Sequence, residues 1–238
     1  MERLDKLIGS QANLTRSEAG RAVRCGRVTV DGKVCRQGAL KLDPAAHVIA
    51  IDGKELGYAK FVYWMLNKPA GILCVSRDPK VHTVVDLLPA DSRRKGLFPA
   101  GRLDKDTHGL VLITDDGDFA HRMLSPRHHI PKTYHAVLDK PLTDEMADAF
   151  RAGPVLADGT QCQPAHLTVL EAGDNPLVEV IIYEGKYHQI KRMFASVGCH
   201  VEWLKRVKMG GLSLDENLAE GECRPLTPEE KDSILTEK

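Results

Sequence analysis

The chain has 238 residues, 42% of them hydrophobic, which is enough for one medium and one small domain. No apolar run approaches the roughly 18 residues of a membrane span. The charged first eleven residues lack the apolar core of a secretion signal, so the expected location is the cytoplasm with no membrane partner. The formal net charge of +0 hides an uneven distribution. Residues 3–41 carry nine basic and three acidic side chains, residues 186–208 six and one, and residues 215–238 three and eight. Two basic patches are thus masked by an acidic end, a pattern compatible with nucleic-acid binding. The six cysteines (Cys25, Cys35, Cys74, Cys162, Cys199 and Cys223) form no Cys-x-x-Cys pair, which argues against a disulfide framework or zinc site and for reduced, buried thiols.

In chain order, Leu4, Leu7 and Ile8 share one helical face. Thr15 and Glu18 form a capping box for a helix that runs to Cys25 and stops at Gly26. Asp31-Gly32 between the short runs 27–30 and 33–35 signals a hairpin, and Asp52-Gly53 after 48–51 repeats the signal. Residues 57–60 read as a linker. Residues 3–34, RLDKLIGSQANLTRSEAGRAVRCGRVTVDGKV, resemble an S4 domain, a small RNA-binding module. The resemblance implies that Arg16, Arg21, Arg24, Arg27 and Lys33 face RNA phosphates, giving affinity with little sequence readout.

Beyond residue 60 the sequence predicts strands at 61–66, 109–114, 134–138 and 178–183. It predicts helices at 118–124, 144–152 (stopped by Gly153-Pro154) and 187–197 (stopped by Gly198). Thr227-Pro228-Glu229-Glu230 opens a short last helix. The elements lack strict βαβ alternation, so the fold class is α+β. The catalytic domain is read as a mixed, mainly antiparallel sheet flanked by helices. The expected domains are residues 1–57, S4-like, and residues 58–238, catalytic.

The chemistry concentrates in the loop Gly101-Arg102-Leu103-Asp104-Lys105-Asp106-Thr107-His108-Gly109. Opposite charges nearby favour the ionised form of a carboxylate, and an ionised carboxylate in a cleft can act as nucleophile or base. Unaided, this leaves Asp104 tied with Asp106, and with Asp115 or Asp116 as weaker candidates. GRLDKDTHGLVLITDDG resembles the signature of RsuA-type pseudouridine synthases, which places the catalytic aspartate at Asp104. Asn67-Lys68-Pro69-Ala70-Gly71 is similar to the family's first motif. Lys132-Thr133-Tyr134 is similar to the motif whose tyrosine stacks on the target base. The segment 184–193, EGKYHQIKRM, is similar to the last motif, which supplies the aspartate's basic partner. By this resemblance Arg102, Tyr134, Lys191, Arg192 and Lys68 bind substrate, and Lys191 pairs with Asp104. Lys191 and Arg192 project about 100° apart on a helix, so only one of them faces the site. Asp106 and Thr107 are read as holding the loop by side-chain to backbone hydrogen bonds. His128-His129 carries no ligand spacing for a metal, and residues 125–129 are read as a polar RNA-facing loop.

The implied reaction breaks the bond from ribose to uracil N1, turns the ring and bonds C5 to the ribose, with no cofactor and no metal. The uridine must be flipped out of its helix. The segments 125–134 and 187–189 favour small-subunit 16S rRNA, by resemblance its uridine 516. The substrate is then ribosomal RNA with bound ribosomal proteins, acted on by a monomer. The rival readings are an enzyme for 23S rRNA, a glycosylase that releases free base, and a non-catalytic RNA-binding assembly factor.

Overall fold

The computed structural model describes residues 1–236. The chain divides into two compact units, Met1–Val62 with Pro89–Leu97, and Tyr63–Leu88 with the chain from Phe98 onward.

In the first unit, β1 (Glu2–Arg3) leads into α1 (Leu4–Gln11), followed by α2 (Arg16–Arg24). Leu4, Leu7 and Ile8 are buried in one cluster with Ala19, Ala22 and Val23 of α2. The expected capping box is present: Glu18 N–H donates to Thr15 Oγ1 at 3.2 Å, and Thr15 N–H donates to the Glu18 carboxylate at 2.7 Å. Next come β2 (Val28–Val30), β3 (Lys33–Val34), β4 (Lys41–Leu42), β5 (Ile49–Ile51) and β6 (Lys54–Glu55). Four of these form a sheet in the order β3-β2-β5-β6, and β4 pairs with β1. Both Asp-Gly pairs turn with positive φ (50° and 76°, then 52° and 79°), the left-handed pair that a two-residue hairpin demands. Residues 57–60, read as a linker, are held by Arg94, which donates to Ala59 O at 2.8 Å and Lys60 O at 3.1 Å.

The second unit contains β7 (Tyr63–Lys68), β8 (Phe98–Ala100), β9 (His108–Thr114), α3 (Gly117–Leu124), β10 (Lys132–Leu138) and α4 (Asp144–Ala152). It continues with β11 (His166–Glu171), β12 (Leu177–Ile182), α5 (Gln189–Ser196), β13 (Val201–Met209), β14 (Leu212–Ser213), β15 (Cys223–Pro225) and α6 (Pro228–Ser233). The main sheet runs β11-β12-β10-β13-β9-β7-β15, with β14 on β13 and β8 on β9. The β13–β9 pair is parallel and the others are antiparallel, as the fold class requires. Met65, Leu110, Leu112, Phe119, Met123 and Met209 form the core between β7, β9, β13 and α3. Among the described residues no helix is long and apolar enough to cross a membrane.

Five strands of this unit, β8, β11, β13, β14 and β15, lie outside the strands the sequence predicts, and one helix start shifts. The central strand β13 was read only as a basic patch, because Lys205, Arg206 and Lys208 blur the apolar alternation. The helix expected from residue 187 starts at Gln189, because His188 takes a left-handed conformation (φ 48°, ψ 36°) that no α-helix continues.

Candidate active site

The loop after β8 carries the signature residues back to β9, and its placement depends on one close approach. Gly109 has φ +98°, and a Cβ there would lie 2.2 Å from the Arg206 carbonyl oxygen. Only glycine lets β9 come this near β13. Behind the loop sits Lys68, fully buried. Its ammonium donates to the carbonyl oxygens of Pro69, Lys105 and Thr107 at 3.0, 3.0 and 2.9 Å. Burial pulls its pKa below the usual lysine value. The structure therefore corrects Lys68 from a substrate-binding residue to an internal brace, since a group without accessible surface has no contact to offer RNA.

In front of the loop is a cavity of about 430 Å³ in which Arg102, Asp104, Tyr134, His188, Lys191 and Arg206 meet. Asp104 stands in it with its side chain 29% accessible and Oδ1 3.5 Å from His188 Nε2. Tyr134 projects from β10 opposite Arg206 on β13, and its ring is buried. Lys132, two residues earlier on β10, shares that face of the strand. Burial first, then the neighbouring Arg206 charge, push its pKa down to about 8. Arg206 is buried as well, with Nε donating to Leu110 O at 2.8 Å and Nη2 to Gly101 O at 2.8 Å. It thereby ties β13 to both ends of the Asp104 loop.

The expected partner of Asp104 is corrected. Lys191 lines the cavity, but its Nζ lies 2.6 Å from Asp106 Oδ2, and this contact holds the Asp106 carboxyl below the usual range. Among the described residues the side chain that faces the Asp104 carboxylate is His188, an ion pair only when the imidazole is protonated, because the loop turns Asp106 outward to meet α5 while Asp104 points along the cavity. Arg192 is also corrected: one turn of its guanidinium to Asp158 (2.5 Å) and a bond to Tyr187 O (3.2 Å) take it out of the cavity. Of the two neighbours on α5, Lys191 lines the cavity and Arg192 does not. Thr107 does not hold the loop through its side chain. Its backbone N–H donates to Asp104 O at 3.1 Å, whereas its buried Oγ1 has no protein partner. Asp106 is engaged with Lys191 rather than with the loop backbone alone. Asp116, a weaker candidate for the chemistry, caps α3 through Phe119 N–H at 3.0 Å and accepts from Tyr63 Oη at 2.5 Å.

His188, Lys132 and Arg206 are absent from the sequence-based list. Lys132 was legible: any residue two before a site-facing Tyr134 on a strand faces the same way. Arg206 likewise alternates with Leu204, once residues 201–209 are recognised as a strand. His188 had no such signal, because its direction depends on the left-handed turn. Of the residues expected to touch RNA in the first unit, Arg16, Arg21, Arg24, Arg27 and Lys33 are all exposed. Arg27 is additionally paired with Asp52 through Nε at 2.8 Å. His128 and His129 are exposed, and among the described residues no group of three His, Cys, Asp or Glu side chains could hold a metal.

A family model for RNA pseudouridylate synthase matches residues 62–196, which include the Asp104 loop, Tyr134 and Lys191. The chain belongs to the RNA pseudouridylate synthase family. An S4 domain model matches residues 2–48 of the synthase. Over 235 residues the synthase is 48% identical to the ribosomal small subunit pseudouridine synthase A of Escherichia coli, covering 98% of this chain and 100% of that protein. It is 42% identical over 229 residues to the uncharacterized RNA pseudouridine synthase YtzG of Bacillus subtilis, 96% of each chain. A solved structure described as a pseudouridylate synthase superposes with a TM-score of 0.68 at 38% identity, covering 99% of this chain and 100% of that one. The synthase is accordingly an isomerase acting on RNA, and the glycosylase and assembly-factor readings fall away.

Proposed function

We propose that this synthase converts one uridine of 16S small-subunit rRNA to pseudouridine, in RNA that already carries ribosomal proteins. What supports the target is the near full-length likeness to a ribosomal small subunit pseudouridine synthase. In this reading the flipped uridine enters the cavity, whose volume of about 430 Å³ lies in the range of small-ligand sites. Asp104 supplies the carboxylate at the ribose carbon as the bond to N1 breaks and the bond to C5 forms; C5 gives up its proton to solvent and N1 takes one up. Tyr134 stacks on the uracil, a contact that contributes about 1–3 kcal/mol per base. Arg102 fills the gap left in the RNA. Lys191, held at the mouth by Asp106, meets the backbone as a point charge.

The unit that bears Arg16, Arg21, Arg24, Arg27 and Lys33 supplies a second, electrostatic grip. One uridine offers too few base contacts to be found among many, so selection rests on the RNA fold gripped at two points. The test is tritium release from C5-labelled uridine in 16S and 23S rRNA, naked and protein-bound. Release from the 16S particle at a single position is the expected result. Preferential release from 23S rRNA overturns the target.

A further inference from the structure

At the rim of the cavity the structure exposes an aromatic ring that has no role in the scheme above. Tyr187 is 70% exposed, whereas the other residues of its turn are anchored. Lys186 N–H donates to Gln189 Oε1 at 2.8 Å, and the Tyr187 carbonyl accepts from Arg192 Nη1 at 3.2 Å. One face of the ring is covered by the imidazole of His188, with ring centroids 3.8 Å apart and planes 19° from parallel. His188 in turn reaches Asp104 with Nε2 at 3.5 Å. This arrangement depends on the left-handed backbone of His188, which costs free energy in a residue with a side chain and gives α5 no side-chain capping hydrogen bond. What the turn does achieve is a two-ring stack in which His188 covers one face of the Tyr187 ring and the rest of that ring stays exposed.

Flipping a uridine breaks its stacking with both neighbours, so a flanking base is left with an uncovered face. An exposed ring backed on one face by a second ring can cover such a face, and it does so for any base, since every base has a π-face. Lys191 and the exposed Arg102 line the same cavity and bring positive charge to the adjoining phosphates. We propose that Tyr187, backed by His188, is the stacking platform for a nucleotide next to the target uridine. The platform is a specificity-determining element for single-stranded or opened RNA, distinct from the role of Tyr134 on the target base. It rests on the reading that the uridine enters the cavity around Asp104, and wild-type turnover controls for that reading independently.

The experiment uses the full-length enzyme and any RNA that the wild type modifies. Steady-state tritium release is compared for wild type, Tyr187→Ala, Tyr187→Phe and Tyr187→Trp, with urea midpoints confirming that each variant folds. Tyr187→Ala is expected to raise KM about 5- to 150-fold while kcat stays within about threefold. Tyr187→Phe and Tyr187→Trp restore KM, because stacking needs the ring and not the hydroxyl. A second substrate carries abasic residues on both sides of the uridine. On it the wild-type KM rises to that of Tyr187→Ala, and the variant's KM does not change further. An unchanged KM in Tyr187→Ala overturns the proposal, as does failure of Tyr187→Phe to restore it. Effects of protein variant and abasic RNA that simply multiply overturn it too. A KM effect confined to RNA with ribosomal proteins bound would assign Tyr187 to a protein contact instead.

Discussion

Replacing Lys68 with methionine removes an ammonium while keeping most of its volume, and so isolates what the buried charge does. The three acceptors do not lose equally. Lys105 O retains a hydrogen bond from Gly71 N–H at 2.8 Å, whereas Pro69 O and Thr107 O lose their Lys68 donor. The buried Thr107 O and the part-buried Pro69 O, left without this donor, cost up to about 1–3 kcal/mol each. The relief from no longer desolvating an ammonium offsets part of this, which leaves an expected loss of about 2–4 kcal/mol. With a urea slope of about 1–3 kcal/mol/M, the midpoint falls by about 1–2 M. Lys105 and Thr107 flank the turn that holds Asp104, so loosening them displaces the carboxylate, and a displacement near 1 Å costs kcat up to about a hundredfold. The assay is urea unfolding followed by fluorescence, with tritium release measured at 25 °C. KM and the salt dependence of RNA binding are expected to stay near wild type. An unshifted midpoint and kcat, together with a raised KM and a flatter salt dependence, would refute the brace and return Lys68 to the RNA.

Further outcomes follow from other parts of the molecule. Asp104→Asn keeps shape and removes charge, so pseudouridine formation falls by more than about a thousandfold while RNA affinity in a filter-binding assay survives; measurable turnover by the pure variant contradicts the assignment. Changing Arg16, Arg21 and Arg24 together to alanine reduces the slope of log K against log salt by about 2–3, since each lost phosphate contact changes it by about 0.7–0.9; an identical slope removes these residues from the interface. Lys132 has its folded pKa depressed to about 8 from 10.5, so the unfolded chain binds more protons in that window and stability rises with pH through it. Accordingly the stability of Lys132→Met relative to wild type falls by about 3 kcal/mol, an order-of-magnitude figure, as pH rises from below 8 to 10.5; a difference independent of pH refutes the depressed pKa. Gly109→Ala meets both a positive φ and the Arg206 carbonyl, so it costs about 3 kcal/mol or more in thermal unfolding, and a variant of wild-type stability would show that β9 and β13 are not held as close as described.

Those elements that the sequence by itself determined are the ones whose causes lie within a few residues. The box of Thr15 and Glu18 sets the start of α2. The Asp31-Gly32 and Asp52-Gly53 pairs set two turns through their positive φ angles, and Gly153 at φ 83° ends α4 at Ala152, where it was expected. The Gly-Arg-Leu-Asp element was legible for a different reason, since the resemblance named Asp104 where charge alone left it tied with Asp106. Tertiary structure decided what depends on partners far along the chain. Lys68 reads as a free basic residue until β9 folds over it, and its burial is set by carbonyls at Lys105 and Thr107. Lys191 could reach either carboxylate of the loop, and the register of α5 against that loop gives it Asp106. Strand β13 was hidden because one of its faces lines a charged cavity with Arg206 while the other is half-buried, so polar and apolar residues mix on both and the two-residue period fades. A hydrophobic pattern reports the sign of burial at each position, and it falls silent where a strand is buried against charge.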